Sequence, residues 1–490
     1  MPLLVLIIAV GAILRLYGLD NQSLWRDEAN TIHYASRETI AETIRWLISS
    51  DVHPPLYDIL FHGWIALFGE SIHALRGLSA LFGICSIWLI YRLGRSLCDV
   101  RVGLLAATLQ SVSLMQLYYS QEARSYAMLS ALAIASMDGF VRWLRERSRL
   151  TATCYTLATL ALIYTHTFGL FIPLVQSVYL LLRLSVRRLG GEPRSAPPDA
   201  GQTKRLLAGW LGLQAVTLLL YAPWIPALLG QARSEAKAWI AEPLAGAIPQ
   251  TLLMFLSIAK PPWSYPAPDW TNMLIVFIGM TPLLVGASIY FARRSRAVTP
   301  EPEGPSGVTM LALTWLILPI ATAWLISKTP MRIYTFRNLI ICAPALYILL
   351  AAGLARVRPL ICRVALLAGL ISFSFGNLPW YYASIHKEDW RGAERFIQTS
   401  FRDTDQLVLV EKGPRSWLPS TYYLNLAGLA SRYPVTVDLE REDPVGERIW
   451  TLGFRPKAYD KRLLERGYRP LATREFYDGV TVVLYGRRDS

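Results

Sequence analysis

Long apolar runs separated by short basic tips restrict this chain more than any single motif does. In a hydrocarbon layer every backbone N–H and C=O must be satisfied within the spanning element, so apolar runs of about 20 residues can only be helices. Eleven are readable: Pro2 to Gly18, then segments centred near Ile84, Leu109, Leu132, Ala158, Val175, Leu218, Phe277, Leu316, Leu346 and Leu367. With 53% hydrophobic and 17% charged residues over 490 positions, the chain is too apolar for a soluble protein of this size. The first run lacks both a charged leader and a small-residue cleavage site, so it reads as a retained span.

The basic tips orient these spans. Arg92/Arg95/Arg101, Arg142/Arg145/Arg147/Arg149, the Arg183 to Arg205 loop, Arg293/Arg294/Arg296 and Arg356/Arg358/Arg363 all fall on one side. By the positive-inside rule that side is cytoplasmic, and the N-terminus lies there. The Gly190 to Thr203 and Val298 to Gly307 loops, rich in Pro and Gly, are its flexible connectors. A net charge of +14 carried at span ends meets anionic lipid, which excludes nucleic acid as the partner. The five cysteines lie in or beside apolar segments without metal-ligand spacing, so no disulfide framework is indicated.

Motifs concentrate on the opposite, outer side. In the first outer loop, 19–74, Asp27 and Glu28 follow the first span directly, in Ser23-Leu-Trp-Arg-Asp-Glu-Ala-Asn30. Acids favour the first turn of a helix, which is the bland account of them. Ala29 to Ser49 has helical apolar spacing with one wet face, and Leu56 to Phe68 forms a second short helix after the His53-Pro54-Pro55 break; both are interfacial. Ile248 to Ile258 reads as re-entrant or interfacial, followed by the irregular Lys260 to Asp269 stretch. After Trp380 the composition turns charged, which marks 380–490 as a soluble extracytoplasmic domain beside the membrane module 1–379. Helices at Glu388 to Thr399, Ser416 to Leu426 and Lys457 to Arg466 join strands at Gln406 to Glu411, Val435 to Leu439 and Ile449 to Leu452. Arg474 to Tyr477 and Thr481 to Tyr485 form a hairpin around Asp478-Gly479, giving a small α/β domain without a catalytic motif.

Other outer residues have two readings each. Glu122 and Arg124, in Gln121-Glu-Ala-Arg124, either pair with each other or serve a ligand. His166, in Tyr164-Thr-His-Thr-Phe168, is either a hydrogen-bonded interfacial residue or a ligand. Lys328, Arg332 and Arg337 form a cation cluster against the positive-inside trend, and a phosphate at headgroup depth is its natural counter-charge.

Together these features resemble the GT-C superfamily of membrane glycosyltransferases, in the branch of protein O-mannosyltransferases and the bacterial aminoarabinose transferase. The resemblance is clearest over Leu14 to Arg149. It rests on Arg15-Leu-x-Gly18, Trp25-x-Asp27-Glu28, His53-Pro54-Pro55-Leu56-Tyr57, the Leu67-Phe68-Gly69 to Arg76 spacing, and Gln121-Glu122-Ala123-Arg124. It continues weakly through Tyr164 to Phe168, Phe336-Arg337-Asn338 to Pro344, and Asp389-Trp390-Arg391.

The resemblance implies a GT-C fold and inverting transfer of a sugar from a polyprenyl-phosphate carrier to a hydroxyl on a glycan, lipid or protein acceptor. It also implies a multi-pass location in the bacterial plasma membrane, with the site outside. Asp27 takes the role of base, since an inverting transfer needs one group to accept the acceptor's proton. Glu28 projects about 100° away on a helix and supports it. Arg124, Lys328, Arg332 and Arg337 bind the phosphate, with His53, Tyr57 and Glu122 as further donor-binding residues. The chain departs from the family where Val52-His53 replaces an acid and a phosphate-contacting Lys, and where Asn338 replaces a frequent Tyr. No cofactor is required; a divalent metal is possible but not implied, with Glu122 and His166 as its candidate ligands.

Two other classes stay open. A flippase or transporter of a lipid-linked sugar would show internal repeats and polar residues at the bilayer midplane, where Asp138 is expected to pair with Arg142, four residues on. A non-catalytic membrane scaffold would use the last 110 residues for interaction. The basic tips make one sharp prediction: an impermeant thiol reagent applied to whole cells should label Ser490→Cys and spare Arg145→Cys, in a background without native cysteines. The reverse labelling would overturn the assignment of every outer residue above.

Overall fold

A computed structural model describes residues 1–36, 38–50, 53–188, 200–233, 240–256, 286, 305–384, 387–410, 419, 422–423, 435–436, 446–454 and 457–487. The span expected near Phe277, the Lys260 to Asp269 stretch and nearly all of the Ser416 to Leu426 helix lie outside them, as does most of the 190–203 and 298–307 connectors. The chain divides into two compact units. The first comprises Met1–Tyr17, Glu38–Gly69 and Arg76–Pro379; the second comprises Gly18–Arg37, Glu70–Leu75 and Trp380–Ser490. The second unit therefore holds the residues around Asp27 as well as those after the last apolar helix.

The first unit is helical. Its elements run α1 (Pro2–Leu16), then, past α2 (Arg26–Ala35) of the second unit, α3 (Ile40–Ser50), α4 (Leu56–Phe68), α5 (Ile72–Leu97, its first residues counted with the second unit), α6 (Val100–Val112), α7 (Leu114–Ser120), α8 (Tyr126–Glu146) and α9 (Arg149–Thr165). After these come α10 (Phe171–Arg188), α11 (Ala200–Tyr221), α12 (Ile225–Arg233), α13 (Ala247–Leu256), α14 (Pro305–Ile326), α15 (Ala343–Leu354), α16 (Leu360–Phe375) and α17 (Leu378–Ala383, from Trp380 on counted with the second unit). Among the described residues, 5 helices are long and apolar enough to cross a membrane, or up to 6 if α6 and α7, bent by 59° at Ser113, are one span. The first run and the segments near Leu346 and Leu367 are shorter apolar helices, and α9 has 17 residues. Leucines such as Leu211, Leu218 and Leu219 face outward, as they do where the solvent is lipid.

The break between α6 and α7 is held by Arg15, a fully buried arginine at the end of α1. A broken helix leaves carbonyls without intrahelical partners. The Arg15 guanidinium takes two of them, donating to the Ser111 carbonyl at 2.9 Å and to that of Gln110 at 2.9 Å, and a further bond goes to Gly11 at 3.0 Å. Past the break, Gln121 Nε2 donates to the last carbonyls of α1, at Leu14, Arg15 and Tyr17. Close approach is part of this joint: a Cβ on Gly83 would collide with the Ser120 side chain. On the far side of the break, the Tyr347 hydroxyl on α15 donates to the carbonyl of Phe255 at the end of α13 and lies within hydrogen-bond reach of Ser113 Oγ.

Two expectations need correction. The amphipathic stretch after Ala29 is two helices, α2 and α3, because Thr39 starts a new one, its Oγ1 accepting from the Glu42 N–H at 3.2 Å. Asp138 pairs with Arg92 on α5 at 2.6 Å, while Arg142 reaches Glu146 at 3.6 Å. Two helices facing each other give the buried Asp138 a half-buried partner across the helix contact.

The second unit contains α2, α18 (Trp390–Ser400), α19 (Lys457–Glu465) and a five-stranded sheet ordered β2-β1-β3-β5-β4. Its strands are β1 (Gln406–Val410), β2 (Val435–Thr436), β3 (Arg448–Phe454), β4 (Tyr468–Glu475) and β5 (Val480–Arg487). β1 runs parallel to β2 and β3, while β5 is antiparallel to β3 and β4. The β4–β5 hairpin turns at Asp478 and Gly479, both with positive φ (60° and 81°), the conformation an Asp-Gly pair supplies in two-residue hairpin loops. Val408, Ile449, Leu463, Tyr468, Val483 and Tyr485 form the core under α19.

Arg15→Met should lower the stability of the detergent-solubilised protein by about 2–4 kcal/mol, since a hydrogen bond from a charged donor contributes about 1.5–3 kcal/mol. Arg15→Lys should recover only part of it, because an ammonium cannot reproduce the planar fork. Thermal unfolding checks both; an Arg15→Met protein as stable as the parent would contradict the role given to the break.

Candidate functional site

The second unit fixes Asp27 and Glu28 at the start of α2. Asp27 is half-buried, whereas Glu28 is 0% exposed. Glu28 Oε2 accepts from the Trp25 N–H at 3.4 Å, the reach-back half of a capping box. The same oxygen lies 3.4 Å from Nζ of Lys387, itself buried. Glu388 receives the Arg26 N–H at 3.1 Å, the Arg26 guanidinium at 3.2 Å and the Trp390 indole N–H at 2.7 Å. Burial raises the Glu388 carboxyl above the usual carboxylate range, opposed by the Arg26 charge and by these hydrogen bonds. The sequence marked neither Lys387 nor Glu388 as functional: Glu388 reads there as the first residue of a helix and Lys387 as the residue before it, whereas the helix begins at Trp390. The signal available was a Lys-Glu-Asp-Trp-Arg string where the chain leaves its last apolar helix.

In the first unit, residues 121–125 form a buried turn between α7 and α8, closed by an Arg124 N–H to Glu122 carbonyl bond of 2.7 Å. Tyr57 on α4 is tied to that turn: its hydroxyl meets Ser79 Oγ at 2.8 Å, and Ser79 Oγ donates to the Arg124 carbonyl at 2.9 Å. The Tyr126 ring collects the charges. Arg124 Cζ lies 6.0 Å from its centroid and Arg337 Cζ 5.8 Å. His166 is 5.9 Å away, and His53 stacks on His166 at 4.3 Å. His166 Nδ1 accepts the Phe168 N–H at 3.1 Å, which leaves the proton on Nε2. Residues from four separate stretches thus meet around one tyrosine that the sequence reading passed over. Two guanidiniums on one aromatic ring, with imidazoles beside it, make a surface suited to an anion.

The cations of the 328–337 loop do not act as one group. Lys328 Nζ contacts Glu242 at 2.8 Å and the Pro243 carbonyl at 2.9 Å, and Arg332 donates to the Ile240 carbonyl at 3.5 Å. The counter-charge of Lys328 is thus a carboxylate of the same chain, and the ammonium holds the Glu242 carboxyl below its ordinary range. Only Arg337 reaches Tyr126 among the three. Glu122 and His166 are each buried, and among the described residues no group of three or more His, Cys, Asp or Glu is arranged to hold a metal ion.

The comparisons agree with this architecture. A family model described as dolichyl-phosphate-mannose-protein mannosyltransferase matches residues 52–191, which carry His53, Tyr57, Glu122, Arg124 and His166. The structure of ArnT from Cupriavidus metallidurans bound to undecaprenyl phosphate superposes with a TM-score of 0.60 at 14% identity, covering 98% of this chain and 97% of that one. Its apo form gives the same score, covering 99% and 98%. The archaeal oligosaccharyltransferase AglB from Archaeoglobus fulgidus, in complex with an inhibitory peptide and a dolichol-phosphate, gives 0.52 at 12% identity, covering 98% of this chain and 74% of that one. No curated protein matches the chain by sequence. At these identities the likeness is one of fold: the chain has the GT-C type of fold seen in ArnT.

Replacing Tyr126 by Leu should weaken binding of an anionic probe such as a phosphomonoester about 3- to 30-fold, the worth of a cation–π contact partly shielded from water. Tyr126→Phe, which keeps the ring, should bind within about threefold of the parent. Equal affinity for Tyr126→Leu, measured by quenching of intrinsic fluorescence, would remove the ring from the anion surface.

Proposed function

We propose that this chain transfers a sugar from a polyprenyl-phosphate carrier to an acceptor hydroxyl with inversion at the anomeric carbon. The observation that carries the proposal is the pair of guanidiniums, Arg124 and Arg337, gathered on Tyr126 beside His166 and His53. Support comes from the family match and from structural relatives solved with undecaprenyl phosphate and dolichol-phosphate.

In the step proposed, the acceptor oxygen attacks the anomeric carbon, the bond from that carbon to the phosphate oxygen breaks, and the acceptor proton passes to the Asp27 carboxylate. The polyprenyl phosphate leaves as an anion, which needs cations rather than a general acid; Arg124 and Arg337 supply them. Glu28 supports Asp27, and Tyr57 and Glu122 shape the turn that presents Arg124. His53 stands where relatives carry a phosphate-contacting Lys and takes over that contact. The chemistry routes nothing through a metal. A multi-pass place in a bacterial plasma membrane, with Asp27 and the C-terminal residues outside, completes the reading, and a glycan, lipid or protein supplies the hydroxyl.

A general base contributes about 100- to 10,000-fold. Asp27→Asn should therefore release polyprenyl phosphate at least about 100-fold more slowly than the parent from a panel of polyprenyl-phosphate-linked hexoses and pentoses, while binding undecaprenyl phosphate within about threefold. Glu28→Gln should lose less. An Asp27→Asn protein that folds, binds the lipid phosphate and turns over at the parent rate would take the base role away from Asp27.

A further inference from the structure

Within the second unit the stretch from Asp20 to Glu28 is fastened almost residue by residue to the chain that follows the last apolar helix. Asn21 Nδ2 donates to the Tyr382 carbonyl and Gln22 Nε2 to that of Ser384. Ser23 Oγ accepts the Arg391 N–H at 3.1 Å, and the Leu24 N–H reaches the Tyr423 hydroxyl at 2.6 Å. The Arg391 guanidinium donates to the carbonyls of Asp20 and Gln22. At the end of this seam stand Lys387, against Glu28, and Glu388, against the backbone of Arg26.

We propose that Lys387 and Glu388 are positioning residues for the Asp27-Glu28 pair: Glu388 fixes where α2 begins, and Lys387 holds the Glu28 carboxylate in one place next to Asp27. The inference rests on the reading of Asp27 as base. The physical reason is the cost of the arrangement. Glu28 is 0% and Lys387 2% exposed, and an ion pair so deeply buried gives up hydration that its mutual attraction scarcely returns, so apolar residues of the same size would stabilise the unit as well or better. Stability alone does not call for these two charges. An apolar pair would lack a fixed ammonium one residue from Asp27 and a carboxylate that receives the Trp25 N–H. Glu388 acts one residue on: the Arg26 N–H, one of the orphan donors of a helix start, goes to its carboxylate, since the Trp25 side chain offers no capping oxygen. Neither residue touches substrate in this account; both work through the motif.

The test is a double-mutant cycle on the full-length protein in detergent, read as kcat and KM with the donor panel and as amide hydrogen exchange. Lys387→Met should lower kcat at least about tenfold and leave the donor KM within about twofold, and Lys387→Arg should recover most of the loss. Lys387→Met combined with Glu28→Gln should be no slower than the slower single variant, because the stranded carboxylate is then gone. Exchange should speed up at the amides of residues 26–31 in Lys387→Met and in Glu388→Ala, with β1 and β5 as protected as in the parent. Losses that simply multiply, or no gain from Lys387→Arg over Lys387→Met, would overturn the proposal. If the parent released no lipid phosphate from any donor, the transferase reading would fail by itself. The exchange arm would still decide the seam: faster exchange confined to residues 26–31 supports it, and unchanged exchange refutes it.

Discussion

Much of the first unit depends on one buried arginine. Arg15 sits at the end of the first apolar helix, fully enclosed, with its guanidinium donating to the carbonyls bared by the α6–α7 break. The break in turn sets where residues 121–125 lie, since Gln121 is bonded back to the end of α1. Glu122 and Arg124 are carried on that turn, and Tyr126 opens the next helix. A chemical surface thus rests on helix-end hydrogen bonding rather than on a long loop.

The second unit solves a related problem with different means. Trp25 opens α2 without a side-chain oxygen to cap it, so the caps come from Glu28 of the same turn and Glu388 from hundreds of residues away. Glu28 needs a cation, and Lys387 is the one beside it. The residues after the last apolar helix thus complete the motif that follows the first one, which gives a physical reason for this chain to keep a C-terminal domain.

Much of this was legible in the sequence where local rules decide. α4 begins and ends at Leu56 and Phe68 as its apolar spacing and the Pro54-Pro55 break require. The Asp478-Gly479 hairpin follows from two residues that accept positive φ. Local rules failed where a distant partner wins. The pairing of Asp138 with Arg92 rather than Arg142 is a helix-to-helix contact that i to i+4 spacing cannot foresee. Lys328, Arg332 and Arg337 look alike in the sequence, yet the 240–243 backbone and Glu242 draw off the first two. Tyr126 carries no charge and sits at the start of an apolar helix, so nothing in its neighbourhood marked it as the place where Arg124, Arg337 and His166 meet. The family resemblance singled out Arg124, Arg337 and His53 among others; it could not say which of them share a surface.

Transfer with inversion is the claim on which these assignments converge, and product stereochemistry tests it most directly. Purified protein, a polyprenyl-phosphate-linked sugar of known anomeric configuration and a hydroxyl acceptor would be followed by NMR of the product, with the released lipid quantified alongside. The account predicts the opposite anomeric configuration in the product and one polyprenyl monophosphate released per sugar transferred. Retained configuration, or passage of the intact lipid-linked sugar across a reconstituted bilayer without cleavage, would contradict it.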